Sequence, residues 1–352
     1  MDYKKEIEDL VNLIIQEGAS DLHLSTDRTP IIRVSGNLLP LVKKKVLNQQ
    51  DMQGFIDVLL TPANKELLIN NRDVDFSYNL PNARFRGNIY YRQGAVSIAL
   101  RLIPKAIRTL AELNLPPILE SFTRKNQGFF LVVGPIGQGK TTTLATLIDM
   151  INETRTEHIM TIEDPIEYLF ESKKSIIDQR EVRTDTTDFH SALTAMFRED
   201  IDVCMIGEMR DINTIATAVT AAETGHLIFS TLHTNDAAQT INRIIDSFPP
   251  GQQDQIRLQL AGSLSGIFSQ RLVPRISGGL VPAYELLINN NAVSNLIREK
   301  RVHEINTVIE TSSQEGMVDM NRSLAELARA GEISVETAYV NSLNPKSLEK
   351  LL

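Results

Sequence analysis

The 352-residue sequence predicts an α/β protein in two parts, a smaller α+β domain followed by a larger domain built on a doubly wound parallel sheet. Three observations carry this reading. Beyond residue 116, short runs that are apolar on both faces alternate with helical patterns, as buried parallel strands alternate with crossover helices. Before residue 104 the strand-like runs stand closer together, and helical periodicity is confined to a few places. Between the two, Pro104 and then Pro116-Pro117 bracket a short segment, so the division expected is residues 1–103, a linker over 104–115, and 116–352.

The elements follow in order. Ile7, Leu10, Val11, Ile14 and Ile15 recur at helical spacing, and Gly18 is placed to stop the helix they define. Strand-like runs come next at residues 21–25, 31–34, 76–78, 84–91 and 96–102, with helices over 52–60 and 63–69. In the larger part, strands are expected at 129–133, 159–162, 203–206 and 227–230. Helices lie between them, one over 141–151 with Leu144, Leu147, Ile148 and Ile151 on one face, another over 212–223 with Ile215, Ala216 and Val219. Residues 295–352 read as a helical tail.

Composition excludes several classes. Hydrophobic residues at 42% and charged residues at 23% are ordinary for a globular protein, which removes disordered and fibrous readings. Cys204 is the single cysteine, so neither an internal disulfide nor a zinc site of two or four thiolates can form, and a reducing cytoplasm is expected. No apolar run approaches the ~18 residues of a membrane span, and the start, MDYKKEIEDL, has no apolar core like that of a signal peptide. Membrane contact is therefore expected to be peripheral. Residues 1–103 hold 13 Lys and Arg against 12 Asp and Glu, and the remainder 23 against 32. An acidic larger domain is a poor phosphate-backbone binder, so no nucleic-acid partner is expected.

The strongest signal is Gly134-Pro135-Ile136-Gly137-Gln138-Gly139-Lys140-Thr141, a G-x-x-x-x-G-K-[ST] phosphate loop, with Thr142 following it. It lies between an apolar strand and an amphipathic helix, the setting in which backbone N–H groups and a helix N-terminus cradle phosphates. Lys140 is expected at the β- and γ-phosphates of ATP and the Thr141 hydroxyl at Mg²⁺. Water activation needs a carboxylate at a neighbouring strand end, and two runs supply one. The first strand ends in Glu163-Asp164-Pro165; the second ends in Gly207-Glu208, with Gly207 where most such enzymes carry Asp. One acid must orient water while the other supports the metal. His226 and His233 bracket the 227–230 strand at its opposite ends, and a polar residue at such an end is placed to sense the γ-phosphate.

These blocks, in this order, resemble the secretion ATPase superfamily and, within it, the PilT-type retraction ATPases of type IV pili. The resemblance rests on Gly18-Ala19-Ser20-Asp21-Leu22-His23-Leu24, on Ala83-Arg84-Phe85-Arg86 with Asn88, on the phosphate loop and on Thr161 to Glu167. It continues through Arg198-Glu199-Asp200, Gly207 to Asp211, Ala221 to His226, and Thr231 to Thr234. It implies a PAS-like N-terminal domain, a RecA-like ATPase domain and a homohexameric ring that works with ATP and Mg²⁺. It also implies Glu163 as the catalytic carboxylate, Glu208 as the acid near the metal, Arg86 and Arg101 as arginine fingers, and Arg92 as a weaker candidate. The partner it implies is an inner-membrane pilus platform protein approached from the cytoplasmic face, with an accessory paralogous ATPase as a second. A PilU-like accessory motor and a DNA-translocating RecA-like motor are the rival readings. Two departures stand out: Gln138 replaces a small Ser, and Ser294, in the run Ala292 to Glu299, replaces an arginine that the family associates with retraction.

Overall fold

The computed structural model describes residues 2–34, 36–80, 83–103 and 106–352. They form two compact units, one of residues 1–106 together with Pro165–Leu169, the other of Ile107–Asp164 and Phe170–Leu352. Pro104, the expected start of the linker, lies outside the described residues. Lys105 lies there too; of the described residues that follow, Leu110 and Leu115 are buried in the core of the second unit, and the Arg108 carbonyl accepts from the Thr146 hydroxyl at 2.8 Å. These apolar side chains gain more from burial than they would in a solvated linker.

In the first unit α1 (Tyr3–Gln16) buries Ile7, Leu10, Val11 and Ile14, and the Asp2 carboxylate accepts from the Lys5 N–H to cap it. The strands are β1 (Asp21–Ser25), β2 (Ile31–Val34), β3 (Asn37–Pro40), β4 (Asp73–Leu80), β5 (Ala83–Arg92) and β6 (Ala95–Ile103), with α2 (Gln49–Leu59) and α3 (Pro62–Asn71) between β3 and β4. They form one antiparallel sheet in the order β3-β2-β1-β6-β5-β4. Its buried face holds Leu22, Leu24, Phe76, Phe85, Ile89 and Leu100 against the helices. Gly87 is required there, because a Cβ on it would run into the Phe76 ring. This is the PAS-like α+β domain that the resemblance implies.

The second unit starts with α4 (Glu120–Thr123) and then carries β7 (Gly128–Val133), α5 (Lys140–Thr154), β8 (His158–Glu163), β9 (Ile176–Glu181), α6 (Phe189–Met196), β10 (Val203–Ile206), α7 (Ile212–Glu223) and β11 (Leu227–Leu232). After α8 (Ala237–Asp246) and α9 (Pro250–Ser263) come β12 (Leu264–Pro274) and β13 (Leu280–Ile288), then α10 (Asn291–Arg298), α11 (Ile305–Thr311), α12 (Met320–Arg329), α13 (Val335–Asn341) and α14 (Pro345–Glu349). The sheet order is β13-β12-β7-β11-β10-β8-β9, parallel throughout except for β13. Alternate residues of β7 enter different cores, Phe129, Leu131 and Val133 one and Phe130 and Val132 the other. Both faces are thus covered, as the unbroken apolar runs require, which is the doubly wound arrangement of the RecA-like domain that the resemblance implies. Glu285 on β13 is a buried carboxyl group that accepts from the Ala237 N–H at 2.8 Å.

Candidate nucleotide site

The parallel strands end on one edge, and there the chain between β7 and α5 folds into the phosphate loop. Gly134, Gly137 and Gly139 have φ of 147°, 78° and 77°, where L side chains are strained. Gly134 is further constrained, since a Cβ would collide with the Gln270 carbonyl oxygen. Pro135, Ile136, Gly137 and Gln138 form the arch, with Ile136 turned to solvent, and Gly139 caps α5 in the left-handed conformation. Lys140 opens the helix and is buried, its Nζ donating at 2.8 Å to the carbonyls of both Gly134 and Pro135. Thr141 and Thr142 follow in the first turn of α5, half-buried.

Lys140 Nζ also lies 3.2 Å from His233 Nδ1, and His233 Nε2 lies 3.6 Å from Glu208 Oε2. An ammonium has only protons to offer, so Nδ1 is the acceptor and the proton of neutral His233 sits on Nε2, facing the carboxylate. Partial burial and the Lys140 charge push the His233 pKa below its ordinary value, which favours that neutral form. Glu208 is also ion-paired with Arg210.

Glu163, on the adjacent strand end, is 3% exposed. It accepts from the Thr161 hydroxyl at 2.8 Å and from the Gln179 amide at 3.3 Å. Gly207 lies beside it: its N–H donates to the Ile162 carbonyl at 2.8 Å, and a Cβ there would stand 3.8 Å from Glu163 Cγ. An Asp at 207 would start its carboxylate in contact with Glu163, which gives the glycine a physical reason. Asp164 is held apart by Arg183, whose guanidinium donates to both carboxylate oxygens at 2.7 and 3.0 Å.

The structure does not bring His226 into this cluster. It precedes β11, whose six residues carry the chain about 20 Å, so His226 sits at the other edge of the sheet. There it bonds through Nδ1 to the Ala221 carbonyl at 3.1 Å and meets Phe197 edge-on at 5.3 Å. In the first unit, Arg86 and Arg101 stand directly opposite each other on β5 and β6. Two like charges so placed repel unless each is partnered. Arg86 donates to Glu167 at 3.3 Å and Arg101 to Asp21 at 2.9 Å, while both stay solvent-accessible. Arg92 is instead tied to its own sheet, through Ser97 and the Thr26 carbonyl.

Gln270 and Thr143, beside the loop, carried no sequence signal. Gln270 of β12 donates through Nε2 to the Gln138 carbonyl at 2.7 Å and accepts at Oε1 from the Thr143 hydroxyl at 2.7 Å. The Gln138 side chain in turn accepts from the Leu272 N–H at 2.6 Å, so the replacement of a small residue by Gln adds a bond.

Residues 3–327 match the family described as Type II/IV secretion system protein. The chain belongs to that family. Within it the chain is of PilT type. It is 43% identical over 322 residues to a twitching motility protein of Neisseria gonorrhoeae, covering 91% of this chain and 86% of that one. It is 40% identical to the type IV pilus retraction ATPase PilT of Pseudomonas aeruginosa, covering 97% and 99%. A crystal structure of the pilus retraction motor PilT with bound ADP superposes with a TM-score of 0.90 at 45% identity, covering 97% of this chain and 98% of that one. In this secretion-family protein, Ser294 shares its hydroxyl between the Ala261 carbonyl at 2.9 Å and Asn289 Oδ1 at 3.1 Å, tying α10 to the end of α9.

Proposed function

We propose that the chain hydrolyses ATP at the carboxyl edge of the second unit's sheet and, as a homohexamer, powers retraction of type IV pili. The observation that carries this is the line from Lys140 through His233 to Glu208, with Glu163 buried on the next strand end. Lys140 and the N-terminus of the 15-residue α5 supply positive charge where phosphates are held. Glu163, oriented by Thr161 and Gln179, is placed to accept a proton from an attacking water. His233 bridges Lys140 and Glu208, and so is placed to register loss of a γ-phosphate held by Lys140.

The Thr141 hydroxyl and the Glu208 carboxylate would hold Mg²⁺. Both are hard oxygen donors, and among the described residues no three His, Cys, Asp or Glu gather as a metal cage. That suits a cation that takes few protein ligands and completes its shell with water and substrate phosphates. When bound, it would neutralise phosphate charge. Arg86 and Arg101 are the charges proposed to reach the nucleotide of a neighbouring copy. No helix among the described residues is long and apolar enough to cross a membrane, and the proposed workplace is the cytoplasmic face of the inner membrane, against a pilus platform protein with or without an accessory paralogue.

The test is ATP turnover and ADP binding by purified protein. Lys140→Ala is expected to lose nucleotide binding, Glu163→Gln to bind normally and turn over at least about a hundredfold more slowly, and Arg86→Ala to bind but turn over about a thousandfold more slowly. Equal turnover by wild type and Glu163→Gln overturns the assignment. Pilus retraction in a deletion strain, with and without the complementing chain, tests the output.

A further inference from the structure

A phosphate loop works only if its peptide N–H groups point inward, and nothing in the loop's own sequence guarantees this once three of its residues are glycines free to rotate. The structure contains a fixing point outside the loop. A trans peptide is planar, with C=O and N–H on opposite sides, so whatever anchors the Gln138 carbonyl also aims the Gly139 N–H the other way. The anchor is Gln270, 3% exposed, whose Nε2 donates to that carbonyl at 2.7 Å.

The Gln270 amide is itself kept from flipping. Its Oε1 accepts from Thr143 Oγ1 at 2.7 Å, and Thr143 stands on α5, the helix that the loop enters. Flipping the amide would set its NH₂ against the Thr143 hydroxyl and its oxygen against the Gln138 carbonyl, two acceptors face to face. A second bond runs the opposite way, from the Leu272 N–H to the Gln138 side chain at 2.6 Å. Strand β12 therefore grips the arch of the loop by both its backbone and its side chain, and its own Gln270 carbonyl takes the space that a side chain at Gly134 would fill.

We propose that Gln270, oriented by Thr143, is a positioning residue that sets the Gln138–Gly139 peptide for binding the β- and γ-phosphates. The proposal rests on the nucleotide reading above, and its test separates the two. Binding of ADP and competition by AMP are measured for wild type, Lys140→Ala, Gln270→Met, Gln270→Glu and Thr143→Val, with ATP kinetics alongside. AMP lacks the phosphates that the peptide would grip. Gln270→Met, of similar volume but without hydrogen-bonding groups, is expected to weaken ADP about tenfold and raise KM for ATP equally, with kcat within about twofold and AMP competition unchanged. Gln270→Glu, which turns an acceptor toward the Gln138 carbonyl, is expected to lose at least as much, and Thr143→Val about threefold. ADP binding by Gln270→Met within twofold of wild type overturns the proposal. So does a parallel loss of ADP and AMP, which would mean general damage to the site. Should Gln270→Met fail to fold, an unchanged ADP affinity in Thr143→Val overturns it instead. If wild type and Lys140→Ala bind ADP alike, the nucleotide reading fails and the proposal with it.

Discussion

At its carboxyl end, strand β11 delivers His233 against Lys140 and Glu208, while at its amino end the same strand begins beside His226, which packs on Phe197 and the Ala221 carbonyl. Both residues are histidines, and both flank one buried strand within a single run of sequence. They make different contacts because a parallel sheet has a direction: loops that can meet a ligand at the carboxyl edge are a full strand length from those at the other edge. The glycine-rich loop, Glu163, Glu208 and His233 share the first edge, and His226 sits half-buried at the second, against Phe197 and the Ala221 carbonyl.

The sharpest way to break this contrast is at Glu208. Replacement by Gln removes a charge that faces His233 and the proposed cation, and turnover should fall about a hundredfold, with partial recovery at raised Mg²⁺. A loss that no metal concentration relieves would place its role with Arg210 and His233 instead.

A smaller effect compares the two histidines directly. His233→Ala should slow ATP turnover about tenfold, and His226→Ala by no more than about twofold. Equal losses would erase the distinction between the edges. The pH dependence adds a second reading. The His233 pKa is lowered in the fold, so the unfolded chain takes up its proton first as pH falls below about 6.5. The stability that His233 contributes is thus present above that pH and declines toward its lowered folded value. Any advantage in urea midpoint of wild type over His233→Ala should therefore shrink as pH falls from 7.5 to 5.5, by an amount limited by the partial exposure of the ring.

Legibility in the sequence divides along the same lines. The four central parallel strands β7, β8, β10 and β11 and the phosphate loop were readable because burial on both faces leaves unbroken apolar runs and because a loop that wraps phosphate needs glycine at fixed spacing, whereas parallel β9 is only partly buried and shows no such run. Strands β12 and β13 were not, since Leu264 to Pro274 reads LSGIFSQRLVP, with Ser, Gln and Arg interrupting the run, and β12 follows α9 without a break. Gln270 was therefore invisible, because its partner Gln138 lies 132 residues away and only strand pairing brings them together. Edge strand β3 is exposed at every position and so has no apolar alternation to betray it. Pro165–Leu169 belongs to the first unit although it follows the Glu163 strand. The reason is non-local: the Arg84 guanidinium donates to the Ile166 carbonyl at 2.9 and 3.1 Å.

Glu285 gives the fold a chemical appetite of its own. Burial, reinforced by Asp236 and Asp319 and only partly offset by the Ala237 N–H and Arg271, raises its pKa from 4.5 to about 8. Near neutrality the folded chain holds this proton while the unfolded chain has lost it, so folding takes up a proton. The sign follows: stability is full below about 4.5, falls as pH rises, and has lost this contribution above about 8. Glu285→Gln, which is neutral at every pH, should flatten the alkaline side of the stability curve and exceed wild type at pH 8.5. Calorimetric unfolding in two buffers of different ionisation enthalpy would register the proton itself, as a buffer-dependent heat that the Gln variant lacks.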